Sequence, residues 1–554
     1  MGHNSRYILS AVLFFFLALR VFAVQKDELP ADSTDAVADT AQSKPNYVHL
    51  INANAIKFNK RINPDAQILV GEVAFRHDSM YMYCDSALFY QKSNSFCAYN
   101  NVRMEQGDTL FLFGDSAFYD GNLKMAKVRD NVRLENRNMV LITDSLNYDR
   151  NLDLAYYFDG GTLLDDKNTL TSDYGQYHTV LKLATFIKDV HLESPDYTMA
   201  SDTLYYDTDF HLAYFTSPTT IVNEENVINT RHGRFNTTDK SAILLDRSVL
   251  TQDKGLKKVV GDSLYYDDIN GIVEGFGKVE LTNLKDKIDA SGDYVYFNRE
   301  NDSAIVTGNA LAIEYSTIDS LFIHADTFHL VSFYNDAHDS VVYRHLRAYN
   351  KVKAYRVDLQ MIADSLEFST LDSCLTLYKD PIVWNGEQQL LGERIKVYMN
   401  DSTIDWVNVI DQTLFIQRID SVHFNQVSGR EMKAYFAKGN IHRADVDGNV
   451  LIVYYPEDED SMMMGMNTTE ASFLSVFFVD KAISKLLITK SSSGVFYPMD
   501  QLEQDKMYLS NFNWFEILRP FNRWDVFNWR GKQASDKLKT TIHREVPLPT
   551  LKKR

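Results

Sequence analysis

The sequence predicts an all-β protein, an elongated β-jellyroll or taco built from two-strand repeats of about 30 residues. Three observations predict it. A short tag recurs along most of the chain. The apolar residues around each tag alternate with period two, and polar turn clusters separate the alternating runs.

The tag is an acidic residue, often followed by Ser or Thr, and then an alternating run. It reads Asp85-Ser86-Ala87-Leu88-Phe89, Asp115-Ser116-Ala117-Phe118-Tyr119 and Asp144-Ser145-Leu146-Asn147-Tyr148. It returns at Asp202, Asp262 and Asp364, with weaker copies at Asp173, Arg231, Asp293, Asp326, Glu393 and Arg430. The fourth residue after each start forms a ladder: Phe89, Tyr119, Tyr148, Tyr177, Tyr206, Phe235, Tyr266, Phe297, Leu330, Phe368 and Val397. The residue two before each rung is apolar or small, as at Ala117, Leu146, Leu204 and Leu264. A helix would space these residues by three and four, so the spacing of two predicts half-buried strands.

A second alternating element completes each unit, as in Asn101-Val102-Arg103-Met104-Glu105 and Asn131-Val132-Arg133-Leu134-Glu135. Clusters such as Asp120-Gly121-Asn122 and Asp149-Arg150-Asn151 are turns between the elements. Polar or Gly pairs interrupt the strands themselves. Gly114-Asp115 and Asp130-Asn131 suit bends that carry a strand from one sheet to another. Stacked bent hairpins then close two sheets over an apolar interior.

Composition agrees with this reading. The 554 residues include 32 Tyr and 33 Phe but only 11 Pro, which favours strands over disorder. The net charge of -18 argues against nucleic acid as a partner. At the N-terminus, Arg6, the apolar run Tyr7–Leu19 and Val21-Phe22-Ala23 read as a signal peptide over residues 1–23. The expected product is exported. Residues 24–45 are a flexible linker and 46–455 the continuous repeat region, which two jellyroll modules meeting near 240–260 would divide. Residues 456–554 are an extension with final strands from Ala471 to Thr489, an aromatic cap between Tyr508 and Trp529, and a basic tail. Of Cys84, Cys97 and Cys374, the first two could pair or remain thiols, and the odd count excludes a fully paired framework.

The repeated Asp-Ser-Leu-x-Tyr strand, paired with a strand such as Tyr99-Asn100-Asn101-Val102-Arg103-Met104 or Leu69-Val70-Gly71-Glu72-Val73, resembles the OstA-like family. That family includes LptA-type lipopolysaccharide-transport proteins. The resemblance covers roughly Tyr47 to Tyr455. It implies a jellyroll in the periplasm, or associated with the outer membrane. It also implies lipopolysaccharide as ligand, with acyl chains sheltered in the interior, and other envelope transport proteins as partners by edge-strand stacking. The chain is longer than the small family members and carries the extension that they lack.

The candidate lipid-binding residues are the interior ladder Phe89, Tyr119, Tyr148, Tyr177, Tyr206, Phe235, Tyr266, Phe297, Leu330 and Phe368. The bland alternative is that they fill an ordinary core. The tag aspartates Asp85, Asp115, Asp144, Asp173, Asp202 and Asp262 could bind Ca²⁺ if stacked, but corner hydrogen bonding is the simpler reading. His324 and His329 are read as incidental. No phosphate loop, nucleophile elbow or zinc pattern occurs, so no catalytic residue, metal or cofactor is expected, and the chain is read as no enzyme. Two other functions remain as alternatives: a structural envelope scaffold with a filled core, and a carbohydrate-active β-helix.

Overall fold

The computed structural model describes residues 47–530, except 59–63, 336–340, 401–402, 438–439, 459–461, 480–481 and 490–491. The expected signal peptide, linker and basic tail lie outside the described residues. The unit that begins at Tyr47 is an antiparallel sheet of 38 strands. No described helix is long and apolar enough to cross a membrane.

Each long strand pairs with the next through a hairpin, as Gln67–His77 with Met80–Tyr90 and Ser95–Gln106 with Leu110–Asp120. Pairing is antiparallel along the array, which removes the parallel β-helix as the architecture. Between Leu154 and Asp267 the bends divide the strands into shorter pieces, mostly of four or five residues. The strand pairing continues past Tyr455, through Gly465–Val479 and Ala482–Thr489 to Ser493–Pro498.

The bends have a specific cause. In most of the alternate strands two consecutive residues adopt left-handed backbone, for example Asn100-Asn101 (φ 61 and 50), Asp130-Asn131 and Lys188-Asp189. The pair forms a bulge, two residues against one, and up to Asn350-Lys351 the one is a tag aspartate. Asn100-Asn101 stand opposite Asp115, Asp130-Asn131 opposite Asp144, and Gly308-Asn309 opposite Asp326. Such bulges sharpen the local twist and turn the strand. The tag carboxylate then fastens the corner of the following unit. Asp85 accepts from Asn101 Nδ2 at 2.8 Å, Asp115 from Asn131 at 2.6 Å and Asp293 from Asn309 at 2.9 Å. Lys351 pairs with Asp326, and Lys379 with Asp364. The corner role of the tag is therefore observed directly.

The bends fold the sheet lengthwise, so that the hairpin turns at the two ends of the strands become two facing lips. Strands of 11 residues would hold their ends about 35 Å apart if straight. Instead, His77 at one lip meets the Tyr119 hydroxyl at the other, at 2.6 Å. Between the half-sheets lies one apolar core that runs from Val48 to Val476. Cys84 and Cys97 are free thiols; Cys84 is buried in this core and Cys97 is half-buried.

The segment after Pro498 packs over the final strands only at its start, where Leu502 and Met507 meet Met466 and Tyr497. It runs back along the outer face of one half-sheet, from Met507 on Gln426 to Asp525 and Asn528 on Lys353. That face is apolar, with Ile362, Ile382, Trp384, Leu391, Leu414 and Ile416 buried under Phe515 and Leu518. Burial of this patch draws the segment there.

The corner makes a testable prediction. A β-branched residue in left-handed backbone costs about 1–2 kcal/mol, so Asn131→Val, which also removes the bond to Asp115, should lower stability by about 2 kcal/mol in urea unfolding. Asn131→Gly should cost less than half as much, because glycine carries no such backbone strain.

Candidate functional site

The interior divides into a closed and an open section. In the closed section the rungs Phe89, Tyr119, Tyr148, Tyr177, Tyr206, Phe235 and Tyr266 are all at most 6 % exposed. From Tyr148 to Phe235 each rung lies between alanines on the neighbouring strands. Tyr148 pairs with Ala126 and Ala155, Tyr177 with Ala155 and Ala184, and Tyr206 with Ala184 and Ala213. A large ring between two methyls fills the space to close packing.

The ring hydroxyls then reach the facing lip, where a polar residue some 40 positions earlier receives them. Tyr148 donates to Gln106 at 3.2 Å and Tyr206 to Asp165 at 2.7 Å, while Asn226 donates to the Tyr266 hydroxyl at 2.9 Å. Around them Arg150 donates to Tyr119, Lys182 to Asn136, and His211 pairs with Asp165. Salt bridges at the rim join Lys124 to Asp78, Lys240 to Asp196 and Arg299 to Glu225. Buried polar groups satisfied in this way hold the mouth shut. Burial pushes the Tyr148, Tyr157, Tyr177 and Tyr197 phenols up to about 12, and it also raises Tyr206 and Tyr266.

Beyond Tyr266 the pattern changes. The next rungs, Phe297, Leu330 and Phe368, are half-exposed, as are Leu375 and Val397. None of these side chains carries a hydroxyl, and their strand partners grow: Leu330 pairs with Ala304 and Leu346, and Phe368 with Leu346 and Leu375. The facing half-sheet is half-exposed too, at Leu281, Ala312, Ile323, Val383, Leu390, Phe415 and Val427, although Ala354 and Met361 stay buried. Among the described residues, no hydrogen bond or ion pair crosses the mouth after that of Arg299. The result is an apolar trough with its deeper residues (Val295, Val306, Phe328, Leu366 and Ile395) still buried near the corner.

The ten ladder residues proposed from the sequence therefore fall in two environments, seven in the closed section and three in the trough. Their partners escaped the sequence reading. The alanines at 126, 155, 184, 213 and 242 recur every 29 residues, and this register could have revealed them. The polar lip residues offered no such register. His324 is buried, donates from Nδ1 to the Ala310 carbonyl, and lies against Phe527. Among the described residues no cluster of His, Cys, Asp and Glu is arranged to hold a metal ion.

The model of the OstA-like protein family matches residues 45–202 and 200–257. This part of the chain is similar to OstA-like proteins. Among solved structures, the chain is similar to LptH, the LptA homologous periplasmic component of the lipopolysaccharide transport device of Pseudomonas aeruginosa. The identity is 14 %, the match covers 22 % of this chain and 81 % of that one, and the TM-score is 0.18. A comparison with curated proteins returned no match. The OstA-like residues coincide with the N-terminal corners and most of the closed section, and the trough lies beyond them.

The mouth bonds predict an alkaline transition. A phenol whose pKa is higher in the folded protein than the unfolded value of about 10 stabilises the fold fully below pH 10. That stabilisation is lost as the pH rises from about 10 through about 12. Tyrosinate absorbance should therefore rise in two steps, with the later step coincident with loss of β-sheet circular dichroism. Separately, Tyr206→Phe leaves the buried Asp165 short of a donor and should cost about 1–3 kcal/mol in urea unfolding. Phe368→Leu in the trough should cost less than about 1.5 kcal/mol.

Proposed function

We propose that this chain is a non-catalytic lipopolysaccharide-binding transport or assembly factor of the periplasm, which rests acyl chains on the apolar wall of its trough on the way to the outer membrane. One observation carries the reading. The inner wall passes from buried Tyr–Ala rows with bonded hydroxyls to half-exposed Phe, Leu and Val rows. A soluble protein has no folding reason to leave a continuous apolar wall uncovered, and such surfaces mark ligand or partner sites. The OstA-like match supports the same reading through the lipopolysaccharide handling implied by the family resemblance.

The energetics suit passage. A fully buried chain of about 12 carbons gains roughly 10 kcal/mol at about 0.8 kcal/mol per CH₂, and a chain lying on one wall gains about half of that. Similar rungs in succession then offer similar sites with no deep trap. In the closed section Phe89, Tyr119, Tyr148, Tyr177, Tyr206, Phe235 and Tyr266 would meet acyl chains only with the mouth bonds parted. First contact is therefore assigned to Phe297, Leu330 and Phe368. Stacking on other envelope transport proteins is proposed at the final strands, where Leu486, Leu487, Val495 and Phe496 are exposed. The filled interior of the closed section favours a second reading, a structural scaffold.

A photo-crosslinking scan in cells separates the two readings. A photoreactive residue at Phe297, Leu330 or Phe368 should give lipopolysaccharide adducts. Tyr296 and Glu367 on the opposite face should give none, and Tyr148 and Tyr206 far fewer than the trough positions. Exported, folded protein with no adduct at any trough position would leave the scaffold reading.

A further inference from the structure

The segment that runs back along the outer face is held more firmly than a surface loop requires. Three buried glutamines on the sheet, Gln360, Gln389 and Gln426, grip it. Gln426 donates to the Met507 carbonyl at 2.9 Å and accepts from the Leu509 N–H at 2.9 Å. Gln389 does the same with the Asn513 carbonyl and the Phe515 N–H, and Gln360 accepts from Arg519. At the far end Lys353, 1 % exposed, donates to the carbonyls of Asp525 and Asn528. Phe515, Leu518 and Val526 are buried beneath.

On its outer side the same stretch exposes large apolar side chains: Ile517 at 75 %, Phe521 at 68 % and Trp524 at 61 %. Its short 3-10 turns, Glu516–Leu518 and Asp525–Phe527, fix their direction. The sheet has already buried what it needs from this segment, so these three side chains serve no core. Arginines frame them: Arg523 lies 5.0 Å from the Trp524 ring and Arg530 5.1 Å from that of Phe521. Residues 519–554 hold ten Lys and Arg against three acidic residues, a net charge of +7 in a chain whose total is -18.

Aromatic and aliphatic knobs beside arginines, joined to a basic stretch, match the layered chemistry of a bilayer surface. Trp and Phe enter the zone between headgroups and acyl chains, and cations meet the phosphates. The reversal of charge selects anionic lipid, since the rest of this acidic chain is repelled by it. We propose that Ile517, Phe521 and Trp524, framed by Arg519, Arg523 and Arg530, dock the protein on the surface of an anionic phospholipid bilayer. Docking goes beyond the lipopolysaccharide reading and does not depend on it, since the knobs lie on the outer face and the trough on the inner.

The test is co-sedimentation of the full chain with vesicles free of lipopolysaccharide, made of phosphatidylcholine alone or with phosphatidylglycerol. Binding is expected to the anionic vesicles, to weaken in high salt, and to be near absent on the neutral ones. The double variant Phe521→Ser/Trp524→Ser should lose on the order of tenfold or more in affinity for anionic vesicles with an unchanged thermal transition, because both side chains point to solvent. A brominated acyl chain should quench part of the tryptophan fluorescence of the native chain, and that part should vanish in Trp524→Phe. Anionic vesicles that fail to bind, or bind the double variant as well as the native chain, would overturn the proposal. So would binding lost on removing residues 531–554 but untouched by the double variant, since the basic tail would then act alone.

Discussion

The two-residue left-handed bulge is the constraint on which the rest of this structure depends. It recurs in most of the alternate strands, from Gly71-Glu72 to Gly448-Asn449. A strand without it would run straight, the sheet would stay open, and the inner face would meet only water. With it, a strand contributes one half to each wall, and from Asp85 to Asp364 a tag aspartate opposite or beside the bulge fixes the corner. The repeated Asp-Ser tag thus follows from geometry. A short acceptor is needed where the backbone turns away and leaves a neighbouring amide or ammonium without a ladder partner.

Given the fold-over, the identity of one row decides whether the interior is closed. A tyrosine ring is long enough to cross the cleft, and its hydroxyl meets Gln106, Asp165 or Asn226 on the other lip. From Phe297 on, the rungs carry no hydroxyl, and among the described residues no hydrogen bond or ion pair crosses the mouth beyond that of Arg299. Both states use the same corners and the same apolar period. The switch costs little in folding terms, since the deeper tier from Val295 to Ile395 remains buried. A rigid closed section in series with an open one provides a fixed end and a receptive end within one continuous sheet.

The open section also carries the segment on its back. There the outward residues Trp384, Leu391, Leu414 and Ile416 are apolar, so the segment keeps the outer side of that half-sheet dry while its inner side faces the trough. The covering backbone brings its own N–H and C=O groups to an apolar surface. The buried glutamines satisfy them as a neighbouring strand would, donor to carbonyl and acceptor to amide. Support of this kind from behind lets the trough wall stay ordered while its front is uncovered.

The sequence by itself determined the strands, their period, the corners and the apolar ladder. Each of these is local: alternation within five residues, a polar pair in mid-strand, and a turn cluster between runs. The loss of tyrosine after Tyr266 in the ladder, and strands apolar on both faces such as Ile382-Val383-Trp384, were also written there, but they take their meaning only from what stands opposite. Only the tertiary structure decided that Tyr206 meets Asp165, 41 positions away, or that Gln389 grips a backbone 124 positions later. Period-two alternation assigns side chains to two faces and is silent on what covers either face. The closed mouth, the trough and the placement of the aromatic segment are all matters of covering, settled when distant parts of the chain meet.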